Sequence, residues 1–314
     1  MLMQTEKIER DVVRTEDGLQ PWRAPVLEMR HVGKCYGTVR ALTGVSLQLF
    51  PGTVYGVIGH NGAGKTTLLN LAGNLAGGHT GEVYRRPQLR IGLMPEHAGF
   101  YSGCSAVDNL ELKALAMGVS SARRRATELV AMANLPEKRK VRTFSAGMRQ
   151  RLAFVMALVG EPDLLLLDDP FNGMDDAGRA FVCREVKRCK ERGVTVVAAG
   201  HQVAMLKQMA DEYFVLADGE IVRHVCAASL RAIRNRRLYL QVRDLTVAVV
   251  SLRKRCPELD FTVDDGGVIV ISNPPENVSR IFKRLIKDKV KITASHTTAR
   301  DIEDVLAATG GSDD

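Results

Sequence analysis

The sequence predicts an α/β protein built on a parallel sheet, followed by a smaller α+β domain. Three observations carry that class. Asp163 to Leu167 and Val194 to Ala199 are short runs of leucine and β-branched residues, the kind buried on both faces of a parallel sheet, with the helical stretch Ala177 to Arg192 between them. TVYGVIG, ending at Gly59, is a third such run and leads straight into a glycine-rich loop. After Arg237 the texture changes to short segments in the order β, α, β, β, α, β.

Taken in order, residues 1–24 are polar and closed off by Pro21 and Pro25, and are expected to form a loose N-terminal extension. VLEMRHVGKCYG and VSLQLF alternate like strands, TVYGVIG follows, and a helix is expected from Thr66 onward. Val107 to Met117 and Ser121 to Ala133 have helical spacing that Leu135 and Pro136 interrupt, and a further helix is expected from about Ala146 to Val159. These segments make a helical subdomain of about residues 97–160 inside a large domain of residues 25–235. In the remainder, 236–314, YLQVR, LTVAVVSLRKR, LDFTV, GVIVIS, ENVSRIFKRLIKD and VKITAS give a split βαβ order, that of a ferredoxin-like fold. Asp264 to Gly267 supplies the hairpin turn, and ARDIEDVLAAT a last helix.

A chain of 314 residues suits one large domain plus a small one, and its 45% apolar and 25% charged residues match an ordinary globular protein. Its apolar runs fall far short of the ~20 residues that cross a bilayer. The start, MLMQTEKIERD, has no apolar secretory stretch, so a cytosolic place is expected. The net charge of +8 gathers in Arg123 to Arg125, Lys138 to Arg142 and Arg231 to Arg237. No aromatic residues interleave these runs to stack bases, so no nucleic-acid partner is expected. They read instead as a solvated face near the anionic leaflet, which attracts nearby Lys and Arg at about 1 kcal/mol each. The six cysteines are scattered without metal-ligand spacing and read as reduced thiols.

The chemistry centres on GHNGAGKTT: Gly59, His60, Asn61, Gly62, Ala63, Gly64, Lys65, Thr66 and Thr67. This is a phosphate-loop pattern between a predicted strand and a predicted helix. Its glycines let successive N–H groups turn toward phosphate oxygens, and the helix N-terminus adds a favourable dipole. Lys65 is expected to reach the β- and γ-phosphates and Thr66 to ligate Mg²⁺. In LLLLDDP, the apolar strand carries Asp168 to the sheet's edge, where it can hold Mg²⁺ through water. Asp169 can orient or deprotonate an attacking water.

Three further features complete a set: FSAGMRQ, Phe144 to Gln150, stands upstream of the acidic strand, the next strand ends in Gly200 and His201, and Tyr36 precedes the first glycine turn. Over about residues 26–235 this set resembles the nucleotide-binding subunits of ATP-binding cassette (ABC) transporters. The resemblance implies a P-loop NTPase fold, ATP and Mg²⁺ as cofactors, and hydrolysis coupled to transport. It further implies an integral membrane permease and a second ATPase subunit, identical or not, as partners, with the chain held on the inner face of the cell membrane. Tyr36 then stacks on adenine. Glu96 stands where the family commonly has a glutamine that senses Mg²⁺ and the membrane partner. Ser145, Ala146 and Gly147 belong to the signature that meets the γ-phosphate bound by the opposite subunit. Asp175 matches a loop that crosses the dimer interface, and His201 a switch histidine at the γ-phosphate.

Departures from the family pattern shape the expectation. The usual acidic pair is Asp then Glu, whereas here it is Asp168 and Asp169. A water misplaced by ~1 Å can cost about a hundredfold in rate, so slow hydrolysis, or pairing with a better-equipped ATPase subunit, is expected. Glu96, Met148 and the turn Pro95 to Tyr101 resemble the exporter branch that moves drugs, peptides or polymers, as does the small C-terminal domain. The role of that domain stays open between ligand sensor and dimer brace, the brace favoured because YLQVR and GVIVIS carry no obvious polar pocket residues. Two other readings stay open on the sequence: a soluble ATP-driven clamp on nucleic acid, and a regulatory ATP-binding module with little hydrolysis.

Overall fold

A computed structural model describes residues 24–227, 236–264, 266–272, 274 and 278–299. Residues 1–23 of the expected extension, and all but the first residue of the expected last helix, lie outside the described residues.

The chain opens with two long antiparallel strands, β1 (Leu27–Tyr36) and β2 (Val39–Leu49), which β4 (His79–Arg85) extends into a three-stranded sheet of order β2-β1-β4. The main sheet has six strands. They are β3 (Val54–Ile58), β5 (Ile91–Met94), β6 (Leu164–Asp168), β7 (Thr195–Gly200), β8 (Glu212–Ala217) and β9 (Glu220–Cys226), in the order β5-β6-β7-β3-β8-β9. All neighbours are parallel except β9, which pairs with β8 as an antiparallel edge.

Every residue of β3, β6 and β7 is buried. The cause is the period of two along a strand, which sends alternate side chains to opposite faces. Val54, Ile58, Leu165, Leu167, Val196 and Ala198 join one core, together with α2 (Ala106–Ala116), α3 (Ala122–Met132), α4 (Ala146–Ala157) and α5 (Asp176–Glu191). Tyr55, Val57, Leu164, Leu166, Val197 and Ala199 join the other, closed by α1 (Lys65–Ala72) and the antiparallel sheet. A short α6 (Val203–Leu206) links β7 to β8.

The last part is β10 (Arg236–Val242), α7 (Leu245–Arg255), β11 (Asp260–Val263), β12 (Ile269–Ser272), α8 (Ser279–Lys287) and β13 (Ile292–Ala299). Its sheet is antiparallel with order β11-β12-β10-β13, the ferredoxin-like arrangement that the βαββαβ order predicts. Leu238, Leu240, Leu252, Ile269, Ile271, Ile281 and Leu285 form its separate core. At the expected hairpin, Asp264 Oδ1 accepts from the Gly266 and Val268 N–H groups at 3.0 and 2.8 Å, and Gly267 takes φ 74°.

Candidate nucleotide site

Strand register builds the site. Ile58 pairs with Gly200, Asp168 with Ala199, and Met94 with Leu167, so β3, β7, β6 and β5 end nearly level. The segments that leave them carry Gly59, His201, Asp169 and Glu96 off one edge of the sheet. A cavity of about 320 Å³ opens there. It is lined by Asn61, Gly62, Gly64, Lys65, Thr66 and Thr67 from the loop, by Glu96, Asp168, Asp169 and His201, and by Val39, Arg40 and Ala41 from β2.

The loop's shape requires glycine at two positions for different reasons. A Cβ at Gly59 would lie 2.3 Å from the Leu216 carbonyl oxygen, so no side chain fits. Gly64 takes φ 104° as the N-cap of α1, and a Cβ there would lie 2.5 Å from the Ala41 carbonyl oxygen. Among the described residues no side-chain cap bond closes the N-terminus of α1, which leaves its first N–H groups facing the cavity. Lys65 Nζ donates to the carbonyls of Gly59 and His60, each at 2.9 Å, folding back along the loop. Burial lowers its pKa, while Asp168, Asp169 and Glu96 pull the other way.

Across from the lysine, Asp168 is 5% exposed. Burial raises its pKa, the Thr66 hydroxyl opposes this by donating to the carboxylate, and the charges of Glu96 and Asp169 add to the rise. Asp169 sits in left-handed backbone, φ 46°, an uncommon conformation for a residue with a side chain. Its N–H donates to Ala199 O at 2.8 Å, and Gln150 Nε2 donates to its carbonyl at 3.2 Å. One carboxylate oxygen lies 3.1 Å from His201 Nδ1, and the other is buried without a hydrogen-bond partner among the described residues. Burial raises the Asp169 pKa too, with His201 the main opposing charge. A lysine, a hydroxyl, an uncapped helix N-terminus and a carboxylate oxygen left unsatisfied together fit a polyphosphate with its divalent cation.

The other residues marked by the sequence lie around this cavity or away from it. Tyr36 pairs with Val39 across the β1–β2 hairpin and is 48% exposed. His60 is exposed, does not line the cavity and lies 3.5 Å from Asp218, and Ala63 is buried. Ser145, Ala146, Gly147 and Asp175 do not line the cavity. Ser145 caps α4 by accepting from Met148 N–H at 3.2 Å, and Asp175 caps α5 by accepting from Gly178 N–H at 2.8 Å. The two caps adjoin, because Ala146 and Gly147 pack beside Gly173. Arg40 escaped the motifs. Its exposed guanidinium lines the cavity because hairpin register places it opposite Cys35, next to Tyr36.

A lysine-bearing glycine loop that joins a buried parallel strand to a helix defines a P-loop nucleotide-binding protein. Residues 42–172 match the family model described as ABC transporter. A bacitracin transport ATP-binding protein of Enterococcus faecalis is 32% identical over 299 residues, covering 90% of this chain and 95% of its own length. A daunorubicin resistance ATP-binding protein of Streptomyces coeruleorubidus is 36% identical over 215 residues, covering 63% of this chain and 67% of its own length. Among solved structures, an ATP-binding cassette dimer in a post-hydrolysis state with ADP and Pi shares 26% identity at a TM-score of 0.59, covering 64% of this chain and 98% of that one. The chain belongs to the ABC transporter family, as an ATP-binding subunit that uses ATP with Mg²⁺ and couples hydrolysis to transport.

Proposed function

We propose that this chain is the ATPase subunit of an exporter, which closes with a second ATPase subunit over ATP and drives an integral membrane permease from the inner face of the cell membrane. The carrying observation is the convergence of Lys65, Thr66, Glu96, Asp168, Asp169 and His201 on one cavity from four strand ends. Export is supported by relatives named for bacitracin transport and daunorubicin resistance, which points to a drug or peptide as cargo. Pairing is supported by the dimeric cassettes among the structural neighbours. Docking to a permease is supported by apolar groups left in solvent on and near α2: Leu112, Leu115 at 61% and Tyr101 at 66% exposed. Among the described residues, no helix is long and apolar enough to cross a membrane.

In this reading, residues 25–235 form the nucleotide-binding domain, with a helical subdomain at about 97–160, and residues 236–314 an accessory domain that braces the dimer. Lys65 and the loop N–H groups hold the β- and γ-phosphates, and Tyr36 receives the adenine. Thr66, Asp168 and Glu96 hold Mg²⁺, which when bound supplies positive charge to the phosphate oxygens. Asp169 orients the attacking water and takes its proton. His201 contacts the γ-phosphate and, 3.1 Å away, steadies Asp169. Ser145, Ala146, Gly147 and Asp175 face the nucleotide of the opposite subunit, which is why they lie apart from this chain's own cavity. Calorimetric titration with Mg²⁺ and ATP is expected to give binding in the wild type and none in Lys65→Ala, and the chain is expected to co-purify with an integral membrane protein. Equal binding by both proteins would remove the phosphate loop from the account.

A further inference from the structure

We propose that Lys34 is a positioning residue for the nucleobase: its ammonium seats the Tyr36 ring and ties it to the loop that follows α1. Lys34 Nζ lies 4.7 Å from the centroid of the Tyr36 ring, within the range where a cation is drawn to an aromatic face. The same ammonium donates to the carbonyls of Gly77 and Gly78, at 2.5 and 3.3 Å. Among the described residues no carboxylate pairs with Lys34. Its charge is therefore divided between a ring and two carbonyls. Those carbonyls sit more than forty residues away in sequence, between α1 and β4. The tether thus joins the hairpin that carries Tyr36 to the far end of the helix that the phosphate loop begins.

An exposed tyrosine beside a glycine turn would otherwise lose rotamer freedom on binding a ligand. A ring already held in place spares the complex that ordering cost. With Lys34 on one face, and about half of the side chain still in solvent, the ring presents an open surface to a flat partner. The inference rests on the assignment of Tyr36 to the adenine of ATP, and it adds which residue makes that surface ready.

The test measures dissociation constants of the full-length chain for ATP and for inorganic tripolyphosphate, which has no base, both with Mg²⁺. Lys34→Met is expected to weaken ATP by about two- to fivefold, the range of an exposed cation–ring contact, and to leave tripolyphosphate unchanged. Lys34→Arg, which keeps a cation for the ring, restores ATP affinity. In a Tyr36→Ala background the Lys34→Met change adds nothing further. Should the methionine variant fold poorly, Lys34→Gln keeps a donor for the two carbonyls and shows the same loss. Equal weakening for both ligands, or losses that add with Tyr36→Ala, would overturn the proposal. Tyr36→Ala with unchanged ATP affinity would instead overturn the adenine assignment beneath it.

Discussion

Asp168 and Asp169 occupy positions that work against their own charge. Burial lifts the Asp168 pKa above its unfolded value, so its contribution to stability is full below the ordinary carboxylate range and is lost as pH rises through the raised value. Asp168→Asn keeps an acceptor for Thr66 and removes the buried charge. It is expected to raise the Tm of the nucleotide-free protein at pH 8, where the buried carboxylate is charged at its cost. The gain should shrink as pH falls toward the acidic range, as calorimetry at several pH values would show. Asp169→Glu adds the methylene that the family usually has. It should raise phosphate release by between about ten- and a hundredfold, the scale of a ~1 Å correction in water placement. No increase would place the slow step elsewhere. These residues were legible because their chemistry is tied to local spacing. Arg40 was not, since its position comes from pairing across β1 and β2, which no motif encodes.

Elements were legible where burial acts on both faces. β3, β6 and β7 read as unbroken apolar runs because each face meets a core. β4 and β9 did not stand out, because most of their residues face solvent, and the four residues of β5 give too short a pattern. β2 runs further back than VSLQLF, to Val39, because β1 pairs with its largely solvent-facing first half. The N-terminal end of α2 is set by a capping box, in which Ser105 Oγ accepts from Asp108 N–H and Asp108 accepts from Ser105 N–H, both at 3.1 Å. Ser105→Ala should cost about 1 kcal/mol, read as a lower urea midpoint at unchanged slope. Gly92 in β5 allows a closer approach. A Cβ there would lie 2.1 Å from the Ala157 carbonyl oxygen, so Gly92→Ala should cost about 1–3 kcal/mol or more by the same measurement.

Across the whole molecule, the cavity joins segments that are far apart in the chain, so what binds there also ties the fold together. With Mg²⁺ and ATP at about 100 times the dissociation constant, stability should rise by about 2.7 kcal/mol. Thermal melts should show that rise in the wild type and lose it in Lys65→Ala. The matched strand ends carry one more consequence. Slipping β6 by a single residue against β7 would carry Asp168 about 3.3 Å along the sheet and turn each of its leucines toward the wrong core. Drift in length is thereby confined to the connecting loops: a residue gained inside Leu164–Asp168 would disarm the ATPase, while one gained at the exposed Glu137–Lys138 loop after α3 would be tolerated far better.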